Sequence, residues 1–123
     1  MYEAQIKAAT ERFAALLEEQ LVRVDGLKEQ GDFIDYAKLD KIIIGVCGGD
    51  GIGPTITAQS RRVLEHLLAD EVAAGKVEFR NIDGLTIENR VAVMKAIPDD
   101  VMEELKKCHV ILKGPMVMDQ HDR

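Results

Sequence analysis

Between residues 42 and 54 the chain reads Ile42-Ile43-Ile44-Gly45-Val46-Cys47-Gly48-Gly49-Asp50-Gly51-Ile52-Gly53-Pro54, a short apolar run that opens into four glycines within six residues. The β-branched residues Ile42, Ile43, Ile44 and Val46 suit a strand covered on both faces. The glycines permit positive φ and let another backbone or a ligand come close. Pro54 fits the first helical position, where its missing N–H costs nothing. A strand that empties through glycines into a helix belongs at the carboxyl end of a parallel sheet, where ligands of open α/β folds usually lie.

Two nucleotide fingerprints can be tested against this segment, and both fail on residue type. A dinucleotide G-x-G-x-x-G that starts at Gly49 and Gly51 needs a third glycine at position 54, which is Pro54. A phosphate loop G-x-x-x-x-G-K-[ST] is met by Gly48 and Gly53, but Pro54 then replaces the lysine that reaches the phosphates. By itself the loop is therefore as well explained by a tight turn and close packing as by a ligand.

The flanking sequence supplies the rest of an α/β pattern. Residues 3 to 28 read as one amphipathic helix, with Ile6, Phe13, Leu16, Leu17, Leu21, Val24 and Leu27 on its apolar side. Gly31 and Asp32 end it, and residues 33 to 40 form a connector. A crossover helix is expected from 54 to 74, its apolar positions being Ile56, Val63, Leu64, Leu67, Leu68 and Val72, with Gly75 as a left-handed stop. Val77, Phe79 and Ile82 mark a second strand that ends at Asp83-Gly84. A short helix over 88 to 96 follows, and Pro98 starts another in which Asp99 and Asp100 lie near the positive end and Glu103 pairs with Lys107. A third strand at 109 to 113 completes a β-α-β-α-β series, which implies a mostly parallel sheet with right-handed crossovers. The expected fold is thus α/β, a partial three-layer domain over residues 41–123, preceded by an N-terminal helical extension and connector over 1–40.

Composition limits the function classes. At 123 residues, with 46% hydrophobic and 31% charged content, the chain can form one modest core. A formal charge of −6, scattered basic residues and 4% aromatics argue against a nucleic-acid partner, which needs concentrated positive charge or a stacking platform. No apolar run reaches the ~20 residues that span a bilayer, and the first residues lack a secretory pattern, so a cytoplasmic location is expected. Cys47 and Cys108 do not form a Cys-x-x-Cys pair and are expected to be reduced, structural thiols.

Two ordered motifs carry a resemblance. Gly49-Asp50-Gly51-Ile52-Gly53-Pro54 is similar to the motif that ends the first strand of the β-decarboxylating dehydrogenases, the family of isocitrate and isopropylmalate dehydrogenases. Farther on, Ala96-Ile97-Pro98-Asp99-Asp100-Val101 opens a helix, Leu105-Lys106-Lys107-Cys108-His109 closes it, and Val110-Ile111-Leu112-Lys113-Gly114-Pro115 resembles the family's strand with a Lys-Gly-Pro exit. That lysine and Gly84-Leu85-Thr86-Ile87-Glu88-Asn89-Arg90 resemble isocitrate dehydrogenase more than isopropylmalate dehydrogenase. Coverage runs from about residue 41 to 115. After Pro115 come Met116-Val117-Met118-Asp119-Gln120-His121-Asp122-Arg123, without the family's threonine pair or arginine-bearing segment. The family's catalytic tyrosine and lysine, metal-binding aspartates and adenosine-binding loop have no counterpart positions, so the chain is expected to hold only the N-terminal portion of such an enzyme.

The resemblance implies NAD- or NADP-dependent oxidative decarboxylation of isocitrate with Mg or Mn. Within this chain it points to Gly51, Ile52, Gly53 and Lys113 as cofactor contacts and to Lys113 as the substrate contact. It supplies no catalytic residue and no metal ligand, so the isolated chain is expected to be inactive and to bind these ligands weakly. Lys113 should project from the carboxyl end of the sheet. Asp50 in a Gly-Asp-Gly turn is expected to bond neighbouring backbone N–H groups. His66 reads as a partly exposed helix residue and His109 as a local hydrogen-bonding residue, while Asp119, His121 and Asp122 lack a fourth partner for a metal. The competing class is a non-catalytic interaction or regulatory module on a dehydrogenase scaffold, which associates through its sheet edge and N-terminal helix. Homo-oligomerisation through that helix, or association with the remainder of a dehydrogenase, is the expected partnership.

Overall fold

A computed structural model describes residues 1–31 and 34–117. Asp32 and Phe33 of the connector, and Asp119, His121 and Asp122, lie outside the described residues. The chain divides into two compact units, Met1–Asp35 and Tyr36–Arg123.

The first unit is a single helix, α1 (Glu3–Glu29). Alanine, leucine, glutamate, glutamine, lysine and arginine dominate it, the residues that lose least on entering a helix. Gln30 N–H closes it on the Gly26 carbonyl at 3.2 Å, and Gly31 leaves with φ +69°. No residue of α1 is buried; Phe13 and Leu21 are each 62% exposed. Its ion pairs, Lys7 with Glu11 and Lys28 with Asp25, are solvent-exposed and contribute at most a few tenths of a kcal/mol each.

The second unit begins with a short 3-10 turn (Tyr36–Lys38) and builds a three-stranded parallel sheet. Strand β1 (Ile42–Cys47) lies in the middle, between β2 (Val77–Asn81) and β3 (Val110–Lys113). Its register runs from Ile42 opposite Val77 to Val46 opposite Asn81 on one side, and from Ile44 opposite Val110 to Cys47 opposite Lys113 on the other. His109 extends the second ladder by one residue ahead of β3: its N–H donates to the Ile43 carbonyl at 2.9 Å, and its Nδ1 accepts the Ile43 N–H at 3.0 Å. An accepting Nδ1 places the proton of the neutral ring on Nε2.

Four further helices complete the second unit among the described residues. After β1 come α2 (Gly53–Leu67) and α3 (Ala69–Ala73); after β2 come α4 (Ile87–Val93) and α5 (Asp99–Lys106). Successive strand residues face opposite sides of a sheet, and β1 uses both. A side chain at Gly45 would meet Cys108 Sγ at 2.8 Å, and Cys47 packs in a core with Ile82, Leu85 and Val101 of α5. Val46 points the other way, lining a cleft with Pro54, Thr57 and Ala58 of α2. Helices α2 and α5 therefore cover opposite faces, which gives the expected three layers.

Several local expectations need correction. Pro54 takes the second helical position, because α2 starts at Gly53 with Ile52 as its N-cap. The first crossover is two helices broken at Leu68, whose φ −106° and ψ 23° are not helical. Its apolar residues do not form the buried face either: Gly53 and Thr57 are buried, while Ile56, Val63 and Leu67 are 46%, 59% and 69% exposed. Small residues bring α2 close to the β3 exit, and that rotation turns the larger ones outward. Helix α4 ends earlier than 96, on Met94 in the left-handed region at φ 51°. Pro98 is the N-cap of α5 rather than its first residue. Lys107 pairs with Glu104, not Glu103. Gly75 is left-handed as expected, at φ +73°, with its N–H on the Val72 carbonyl at 3.0 Å.

Candidate functional site

The exits of β1 and β3 converge at the carboxyl end of the sheet, and glycines let their backbones touch. Gly114 N–H donates to the Cys47 carbonyl at 2.8 Å, and Asp50 N–H donates to the Pro115 carbonyl at 2.9 Å. A Cβ at Gly114 would lie 2.0 Å from Gly48 O, at Gly53 2.2 Å from the same oxygen, and at Gly49 2.1 Å from Pro115 O. No side chain fits at those distances, so these three positions require glycine for space. Gly51 differs. It has φ +58° and nothing within 4 Å of where its Cβ would be, so it requires glycine for conformation alone.

Asp50 locks this junction to α4. The carboxylate is 4% exposed; Oδ1 accepts the Ile87 N–H at 2.7 Å and Oδ2 accepts the Val117 N–H at 2.9 Å. Arg90 stands 3.9 Å away and is itself held by the carbonyls of Ala96, at 2.9 Å, and Val117, at 2.8 Å. The Val117 N–H, then the Ile87 N–H and the charges of Arg90 and Lys113, hold the Asp50 carboxyl below the usual carboxylate range, against the opposing effect of burial. The sequence suggests neighbouring N–H groups as its partners; those found are 67 and 37 residues away. Nothing in the spacing reveals such pairs. The legible signal is Thr86, whose side chain accepts the Asn89 N–H and so caps α4 where Asp50 grips it.

The four residues singled out as ligand contacts fall around this junction. The N–H groups of Gly51 and Ile52 have no partner among the described residues, and Ile52 is 66% exposed. Gly53 N–H instead donates to the Asp50 carbonyl at 2.8 Å. Lys113 stands opposite Cys47 in the register, exposed, with its ammonium donating to the Gly114 carbonyl at 2.8 Å. Its charge reaches Cys47 as well, although burial dominates there and pushes that thiol up. Both cysteines are free thiols.

Two free N–H groups beside an open glycine, with an exposed ammonium on the neighbouring strand, suit the approach of an oxygen-rich anionic or amide-bearing cofactor edge. Among the described residues no three His, Cys, Asp or Glu side chains stand close enough to hold a metal ion. No described helix is long and apolar enough to cross a membrane.

No family profile matches the chain, and no solved structure matches it significantly. Among curated proteins it is similar to a 3-isopropylmalate dehydrogenase of Desulfitobacterium hafniense (strain Y51), with 35% identity over 79 residues. That stretch is 64% of this chain, and the chain spans only 22% of the relative's length. The likeness supports a relationship to the isocitrate and isopropylmalate dehydrogenases at the level of the superfamily.

Proposed function

We propose that these residues form the nicotinamide-side corner of a dehydrogenase that oxidises and decarboxylates a 2-hydroxy acid with NAD or NADP. The observation that carries this reading is the Asp50 clamp. It joins the glycine loop, the start of α4 and the β3 exit, the three segments that bear the motifs of the resemblance, and leaves the Gly51 and Ile52 N–H groups and Lys113 around one rim. The cofactor, when bound, accepts the hydride. This chain's share is to offer backbone donors at Gly51 and Ile52 and a positive charge at Lys113 beside an acidic substrate. Isocitrate is favoured over 3-isopropylmalate, because Lys113 before Gly114-Pro115 and the segment from Gly84 to Arg90 resemble the isocitrate enzymes more closely.

Among the described residues no three His, Cys, Asp or Glu stand close enough to hold a metal, and this reading assigns none of them as the acid or base of the reaction, so turnover is expected to need groups supplied from elsewhere. The test is nicotinamide reduction at 340 nm with isocitrate or 3-isopropylmalate, with and without magnesium or manganese, using the chain alone and joined to the remaining motifs of a dehydrogenase. The expected result is no turnover alone, and isocitrate-dependent turnover on joining that Lys113→Met lowers at least tenfold. Isocitrate-dependent reduction by the chain alone, or indifference to Lys113→Met, overturns it.

The exposed α1 favours a second reading, a non-catalytic module that associates through this helix. It predicts a stable, self-associating 123-residue product that accumulates in cells without any dehydrogenase activity.

A further inference from the structure

Beside the junction, but outside it, lies a cleft of about 280 Å³ lined by Val46, Thr57, Ala58, Arg61, Asn81 and Asp83, with Gly48 and Pro54 at its rim. We propose that it binds the vicinal hydroxyls of a furanose, such as the ribose of a nucleoside. Its polar groups are oriented and incompletely used. Arg61 is a pure donor; its NH1 holds Asn81 Oδ1 at 2.6 Å, while its Nε holds Glu65 at 2.7 Å and its guanidinium lies 5.4 Å from the Phe79 ring centre. That fixes the Asn81 amide and leaves its two N–H donors without a partner among the described residues. Asp83, just past the end of β2, has a carboxylate with no partner among the described residues. Thr57 is 5% exposed, sits at the inner end next to Gly114, and its hydroxyl also has no partner among the described residues.

Charge selects the ligand. Asp83 opposes a bare anion, and the fixed Arg61 guanidinium opposes a cation, so the cleft suits a neutral group rich in hydroxyls. A carboxylate accepts two adjacent hydroxyl protons, the Asn81 amide donates to the same oxygens, and the apolar floor of Val46, Pro54 and Ala58 takes the carbon face. The volume admits one sugar ring and little more.

Methyl β-D-ribofuranoside is the probe, titrated into the isotopically labelled full chain and followed by the Asn81 side-chain amide resonances. The expected result is saturable shifts of that amide with millimolar affinity, and at least about tenfold weaker binding for the 2-deoxy analogue, which has lost one of two hydroxyls to a charged acceptor. Asp83→Asn should weaken the furanoside by a similar factor without altering thermal unfolding, because Asp83 is exposed and has no partner among the described residues. Absence of saturable shifts, equal binding of the deoxy analogue, or unchanged binding in Asp83→Asn overturns the proposal. None of these outcomes depends on dehydrogenase turnover.

Discussion

At the residue scale, the glycines of the junction separate into two kinds with different expected costs. Gly51→Val places a β-branched side chain at φ +58° in open space, so it should cost about 1–3 kcal/mol through backbone strain alone. The sequence suggests that added bulk at this position would also block close approach; with nothing within 4 Å, it does not. Gly114→Ala drives a methyl against the Gly48 carbonyl at 2.0 Å and should cost more than Gly51→Val, because backbone cannot swing away as a flexible side chain would. Urea midpoints rank the two, and a smaller loss in Gly114→Ala would show that the loops are less tightly apposed. Asp50 adds a pH dependence. Its carboxyl is depressed in the folded chain, so its contribution is complete above the unfolded value near 3.9 and is lost as pH falls through the lower folded value. Asp50→Asn cannot accept both N–H groups and should cost about 1–3 kcal/mol at pH 7. Its stability should also fall less than wild type between pH 5 and 2.5; parallel acid limbs would mean that Asp50 is not depressed.

At the scale of elements, what was legible depended on whether a signal is local. The β1 run, the glycine stop at Gly75 and the acidic start of α5 are local, and each lies where its residues suggest. The face of α2 was not legible, since burial of Gly53 and Thr57 is set by the approach of Gly114, 61 and 57 residues later in the chain. Asp50 was legible as a hydrogen-bonding residue of the loop but not as a clamp on α4, for the same reason. Lys113 and the glycine loop were readable as neighbours because parallel strands bring their carboxyl ends to one edge. The end of α4 on Met94 was hidden, since a left-handed cap usually announces itself with glycine. Met94 is 81% exposed, so its side chain contributes little packing against that strain. Met94→Gly should therefore raise stability by about 0.5–1 kcal/mol, and Met94→Val should lower it. Thermal unfolding that ranks valine above glycine would show that the cap is not left-handed in solution.

At the scale of the whole molecule, α1 sets the expected solution state. Two columns of α1 follow a seven-residue spacing, Thr10, Leu17 and Val24 in one and Ile6, Phe13, Gln20 and Leu27 in the next, apolar except at Thr10 and Gln20. That is the seam of a left-handed coiled coil, with Leu16 and Leu21 widening it. A helix of 27 residues is about 40 Å long, enough for nearly four heptads. Five apolar seam side chains, Ile6, Phe13, Leu17, Val24 and Leu27, supply the burial that must outweigh the cost of association. The balance favours association at micromolar concentration, moderated by Gln20, which would rather pair with its own copy than face a leucine. We propose that the chain forms homo-oligomers through this helix. Sedimentation at about 10 µM should give more than one chain per particle, as a dimer with a micromolar dissociation constant, about 8 kcal/mol, would. Phe13→Asp or removal of residues 1–30 should return a monomer, while the sheet's circular dichroism is retained. A wild-type monomer at ten times that concentration, or oligomers that survive both changes, would place the interface elsewhere, the open edges of β2 and β3 being the next candidates.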